Sequence, residues 1–187
     1  MAMGNFCTMQ QKLTFGFSTD RVDEKNPSKR TPNTLITFED LRDITTFRTY
    51  CPPEYDELPA LAEAWYIHGD ESAKALLLQK KKLLPWVMFG GYCPTGHADM
   101  YLQYNGCTQV DIDFKTRDGQ KKALEALQNI KNLQPDGVLF AGISPSTFGV
   151  KILFYTSATE IGQHATASKQ AIKYLAELLQ IEEKYFD

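Results

Sequence analysis

At 187 residues, 43% hydrophobic and 23% charged, the chain has the composition of a globular protein long enough to bury a core, not that of a disordered or low-complexity segment. A net charge of −3 provides no global basic field, so any nucleic-acid contact must come from local patches. No apolar run approaches the ~20 residues of a membrane span, and neither a signal peptide nor an N-myristoylation signal is read in "MAMGNF".

In chain order, "KLTFGFS" (12–18) reads as a first strand, followed by an exposed loop, "TDRVDEKNPSKRTPN". Thr37 opens a short helix, "FEDLRDITTFR", with Asp40 placed to help cap it, and "CPPEYDELP" breaks the chain again. From Ala60 to about Leu84 the pattern is helical. "HGDE" at 68–71 divides it, with Leu61, Ala64 and Trp65 on one face of the first part and Leu76, Leu77 and Leu78 crowding the second. "LPWVMF" (84–89) is a strand ended by Gly90 and Gly91, and "CPTGHADMYLQYNG" is a loop with room for a short strand or a helical turn. "CTQVDIDFK" is the next strand. Asp118 then caps the helix "GQKKALEALQNIKNL", whose stripe is Ala123, Leu124, Leu127 and Ile130. "VLFAGI", "SPSTFG" and "VKILFYT" read as strand, loop and strand, and a last helix runs from about Gln163 to Leu179. Antiparallel pairs with flanking helices, and no internal repeat, predict an α+β fold.

The strand "CTQVDIDFK" carries the most chemistry. Alternation sends Val110, Ile112 and Phe114 into a core and Asp111 and Asp113 side by side to the other face. Two adjacent carboxylates repel, and a hard divalent cation, Mg²⁺ or Mn²⁺, removes that repulsion while phosphate and water complete its shell. A half-exposed strand carrying two acids on its outer face is the other reading of the same pattern. In "SPSTFGVK" the hydroxyls of Ser144, Ser146 and Thr147, the loop amides and the Lys151 ammonium can surround a phosphate; the competing reading is a plain hairpin with Lys151 on its solvent side. His97 lies in a loop that can meet phosphate or base. "KKK" at 80–82, with Lys121, Lys122 and Lys131, is either a track for a DNA backbone or a set of solvated helix ends. Trp65 and Trp86 read as core. Cys7, Cys51, Cys93 and Cys107 form no CxxC pair and read as reduced thiols of a cytoplasmic protein.

An acidic-pair strand, a helix, then a hairpin with "SPS…G…K" resembles the archaeo-eukaryotic primase (primase-polymerase) superfamily, and within it the VirE N-terminal-like domains of mobile-element primase and helicase proteins. "YNGCTQVDIDFK", "FAGISPSTFGVKILF" and the terminal "KYFD" carry the resemblance, with "LPWVMFGG" and "TLITFEDLRD" fitting the layout. The superfamily usually has His where this chain has Lys151. The resemblance implies a small N-terminal α/β lobe packed on an RRM-like antiparallel sheet, and a single domain over 1–187 that is either truncated at its C-terminus or a reduced relative. It also implies template-directed nucleotidyl transfer in replication of a mobile element. Asp111 and Asp113 would be catalytic and, with Asp187, would hold Mg²⁺ or Mn²⁺; Ser144, Ser146, Thr147, Lys151 and His97 would hold the nucleotide. The implied partners are a nucleoside triphosphate, single-stranded or primer-template DNA and a fused or associated helicase, with no membrane. The rival readings are a non-catalytic nucleic-acid or nucleotide-binding accessory domain of a larger replication protein, and a metal-dependent nuclease.

Overall fold

The structure, a computed structural model, describes residues 13–18, 34–37, 39–40, 53–84, 86–92 and 103–187. The first loop, most of the helix expected after Thr37, His97 with most of its loop, and Cys7, Cys51 and Cys93 lie outside the described residues.

Strands β1 (Thr14–Ser18), β2 (Thr34–Thr37) and β3 (Trp86–Met88) form an antiparallel sheet in the order β2-β1-β3. Just after β2, Thr37 and Asp40 bond reciprocally: the Thr37 amide donates to Asp40 Oδ2 at 2.7 Å and the Asp40 amide to Thr37 Oγ1 at 3.2 Å. This is capping-box geometry. Between β2 and β3 lie α1 (Leu58–His68) and α2 (Glu71–Lys81). The break falls where the sequence places it. Gly69 takes φ 69° as the C-cap of α1, and Asp70 caps α2 by accepting from the Ser72 and Ala73 amides at 2.9 and 3.1 Å. Of the three consecutive leucines only Leu77 is buried, because successive helical residues point about 100° apart.

The short strands β4 (Gly91–Tyr92) and β5 (Gln103–Tyr104) pair with each other and lead into the central sheet. That sheet contains β6 (Cys107–Asp113), β7 (Val138–Ile143) and β8 (Gly149–Tyr155) in the order β6-β8-β7, all antiparallel neighbours. Helix α3 (Gly119–Leu133) joins β6 to β7, and α4 (His164–Leu179) follows β8. After α4 the chain returns to the free side of β6, where Phe186 forms a single antiparallel bridge with Ile112. The succession β-α-β-β-α, completed by a one-bridge fourth strand on the first, is the split β-α-β arrangement of ferredoxin-like and RRM-like sheets. The α+β expectation therefore holds.

One face of the central sheet carries the main core. Val110, Ile112, Val150 and Ile152 pack there against Ala123, Ala126 and Ile130 of α3 and Ala171, Leu175 and Leu179 of α4. The expected α3 stripe needs correction: Leu124 is 60% exposed, and Ala126 takes its place in the core. Asp118 does precede α3, but its carboxylate accepts from Thr116 Oγ1 at 2.8 Å and pairs with Lys122 at 3.0 Å instead of capping an amide. The opposite sheet face is divided. Its Cys107–Leu153 end is apolar and packs on Leu13 and Phe15 of the small sheet; its Asp113–Gly149 end is polar.

Candidate functional site

The polar end is fixed by strand register. Asp111 stands opposite Lys151, and Asp113 opposite Gly149. Residues directly opposite in an antiparallel pair share a face, and the Lys151 ammonium lies 2.5 Å from Asp111 Oδ2. The other oxygen, Oδ1, accepts from Gln109 Nε2 at 2.7 Å. Asp113 fills the space a side chain at position 149 would need: a Cβ there would meet Asp113 Oδ1 at 2.5 Å. Its Oδ2 faces the Lys115 ammonium at 3.6 Å.

The chain end joins this face. The Asp111 amide donates to the Asp187 carbonyl at 3.0 Å, and the Asp187 amide donates to the Asp111 carbonyl at 2.9 Å. Residues that exchange both bonds project their side chains to the same side of the sheet, so Asp187 emerges on the face of Asp111 and Asp113. Tyr185 and Phe186 hold it there by packing against the main core, with the Tyr185 ring centroid 5.3 Å from that of Phe114. Asp113, Lys115, Lys184 and Asp187 then line an open cleft of about 420 Å³.

Two residues from the distant α1–α2 pair add to the electrostatics: Tyr66, which the sequence does not single out, and Lys81, which it offers only as one of the lysines at 80–82. Burial pushes the Tyr66 hydroxyl up to about 12, and the neighbouring Asp113 charge adds to it. Burial holds the Lys81 ammonium below its ordinary value; Asp113 draws it back up, while Lys151 and Lys115 press it further down. Lys81 therefore stands within electrostatic reach of Asp113, Asp111, Lys151 and Lys115. Its neighbours in the lysine run go elsewhere: Lys80 pairs with Glu57 at 2.8 Å and Lys82 is exposed. Lys121 and Lys122 pair with Glu125 and Asp118 along α3, as solvated helix residues do.

The small-residue loop is a tight turn. Ser144 and Ser146 are buried with their hydroxyl oxygens 3.1 Å apart, and the Thr147 hydroxyl donates to the Ser146 carbonyl at 2.7 Å. These hydroxyls are engaged within the turn itself. Thr147 takes φ 64°, a strained value for a β-branched residue. Next to it Phe148 is almost wholly buried among Leu58, Ala62 and Leu77, with its ring 5.2 Å from that of Tyr66. The loop thus anchors β8 to α1–α2. Trp65, as expected, packs at the edge of this cluster. The structure brings Asp111, Asp113, Asp187 and Lys151 to one face, and keeps Ser144, Ser146 and Thr147 within the turn.

Among the described residues no three or more Asp, Glu, His or Cys side chains are gathered closely enough to enclose a cation. The donor type still suits a hard divalent ion, since the acidic residues of this face offer only carboxylate oxygens. The Lys151 ammonium is paired with Asp111 Oδ2. Among the described residues, no helix is long and apolar enough to cross a membrane.

Residues 79–184, more than half of the chain, match the profile of the family described as BT4734-like, N-terminal domain. The match takes in Lys81, Asp111, Asp113 and Lys151, and leaves out Tyr66 and Asp187. No curated protein and no solved structure matches the chain. The resemblance drawn from the motifs is thereby corrected, because the matching family is a different one from the archaeo-eukaryotic primase superfamily. The motifs behind it are short, and an alternating half-buried strand followed by a turn-rich hairpin generates them without that ancestry.

Proposed function

We propose, for a chain that belongs to the BT4734-like, N-terminal domain family, that the charged cleft binds a nucleoside triphosphate with Mg²⁺ or Mn²⁺ and transfers its nucleotidyl group to the 3′-hydroxyl of a nucleic-acid end on a template, with the α–β phosphoanhydride broken and pyrophosphate released. The observation that carries this reading is the meeting of Asp111, Asp113 and Asp187 on one sheet face with Lys151, Lys81 and Lys115 around them. When bound, a divalent ion would supply charge neutralisation at the phosphates and a lowered pKa for the attacking hydroxyl. Asp111 and Asp113 would hold it, with Asp187 as the third carboxylate. The three lysines contribute positive charge for the triphosphate oxygens, and partial burial of Lys81 strengthens its part by excluding water. The rigid β6–β8 ladder fixes the spacing of these groups, which favours positioning as the source of rate.

A second reading is favoured by one specific contact. Both Asp111 oxygens are engaged, by Lys151 and Gln109, which suits a nucleotide-binding accessory domain without turnover. Single-stranded or primer-template DNA and a helicase are the proposed macromolecular partners in either case, in a cytoplasmic setting. Binding and extension separate the two readings. With Asp111→Asn and Asp113→Asn together, Mn²⁺-dependent triphosphate binding should be lost while the melting temperature holds. Binding equal to that of the unaltered chain would overturn both readings. Binding that is lost in the variant, from a chain that never extends a primer, would select the accessory role.

A further inference from the structure

The ion pair between Asp111 and Lys151 has a second implication. The two residues are register partners on adjacent strands, so their contact is built into the ladder and does not depend on a long flexible reach. The ammonium lies 2.5 Å from Oδ2, and Gln109 Nε2 takes Oδ1 at 2.7 Å. Gly142 stands across from Lys151 on its other side and has no side chain to compete for it. The pair is only partly open to water, with side-chain exposures of 41% for Lys151 and 23% for Asp111.

We infer that Lys151 is an internal counterion that masks Asp111, so that the cleft takes a divalent cation and a polyphosphate together and binds a bare cation weakly. This rests on the reading of the cleft as a metal–triphosphate site. A cation approaching Asp111 alone must displace an ammonium that then has no partner. A cation arriving with a polyphosphate gives the freed Lys151 new oxygens to bind, so the exchange costs little. A single lysine thereby suppresses metal binding and supports nucleotide binding.

The test is one substitution with two opposite expected effects. The whole chain is titrated with Mn²⁺ alone, and separately with a non-hydrolysable nucleoside triphosphate at saturating Mn²⁺. Lys151→Met should bind Mn²⁺ alone about fivefold more tightly, the weight of a partly exposed ion pair. It should bind the Mn²⁺–triphosphate at least about tenfold more weakly, the loss of a charged hydrogen bond. Lys151→Arg should keep the unaltered behaviour in both titrations. If Lys151→Met leaves Mn²⁺ affinity unchanged or lowers it, while Asp111→Asn abolishes triphosphate binding, the masking role is wrong and the site stands. If neither the unaltered chain nor any variant binds Mn²⁺ or Mn²⁺–triphosphate, the site itself is wrong and the inference goes with it.

Discussion

Gly149→Ala tests whether close contact between β6 and β8 sets the position of Asp113. The added Cβ would stand 2.4 Å from the Ile112 carbonyl oxygen and 2.5 Å from Asp113 Oδ1. A carbon–oxygen contact normally sits at about 3.3–3.6 Å, so roughly 1 Å of space is missing. The carboxylate can swing away, but the carbonyl belongs to the ladder and cannot move without parting the strands. Overpacking of this kind costs about 1–3 kcal/mol, which for a chain of this size lowers the melting temperature by about 2–4 °C per kcal/mol. Thermal unfolding should therefore fall by roughly 2–12 °C, and Mn²⁺-dependent triphosphate binding should weaken as Asp113 is pushed aside. Gly162→Ala is the internal control: nothing lies within 4 Å of a Cβ there and its φ is not positive, so its melting point should stay close to that of the unaltered chain. A Gly149→Ala chain that melts within about 1 °C of the unaltered one would refute the claim that β6 and β8 leave no room at this point.

Two further outcomes follow from buried groups. Burial pushes the Cys107 thiol up to about 12, so at pH 8 it should resist alkylation in the folded chain and react only on unfolding, as peptide mass mapping would record; rapid native labelling would contradict its burial. Burial also lowers His164 from its ordinary 6.5, with Nδ1 3.0 Å from the Tyr104 hydroxyl. The unfolded chain then takes up this proton first, so the contribution is full above about pH 6.5 and is lost as pH falls from there through the folded-state value. Denaturant midpoints measured from pH 7.5 to 5 should show that slope, and His164→Gln should flatten it.

Much of the central layer was legible in the sequence because alternation in "CTQVDIDFK" has only one way to bury Val110, Ile112 and Phe114 together. The α1–α2 break was equally legible, since Gly69 and Asp70 carry local stop and start chemistry. The α3 stripe was misread because Leu124 and Ala126 both fit a helical pattern, and only the facing sheet decides which of them is covered. Tyr66 could not be found by pattern, and the lysine run at 80–82 did not say which of its members faces Asp113. Both precede Asp111 by tens of residues, and only the packing of α1–α2 on Phe148 brings them within reach of the Asp113 charge. The acidic pair was visible as residues, but its partner in the fold was not: that Asp111 and Lys151 stand opposite each other is a fact of register, which sequence spacing leaves open. The family assignment failed for a related reason, since short motifs in a plausible order do not carry ancestry.

Phe148 gives the molecule a mechanical property. Its ring is set among side chains of α1 and α2, and the next residues along the backbone are Gly149, Val150 and Lys151. The helices that supply Tyr66 and Lys81 are thus riveted, through one aromatic ring and three residues of taut strand, to the bar that bears Lys151. Any rocking of α1–α2 that widened the cleft would have to draw that ring from its socket or drag β8 along with it. The helices and β8 should consequently move as a single stiff piece.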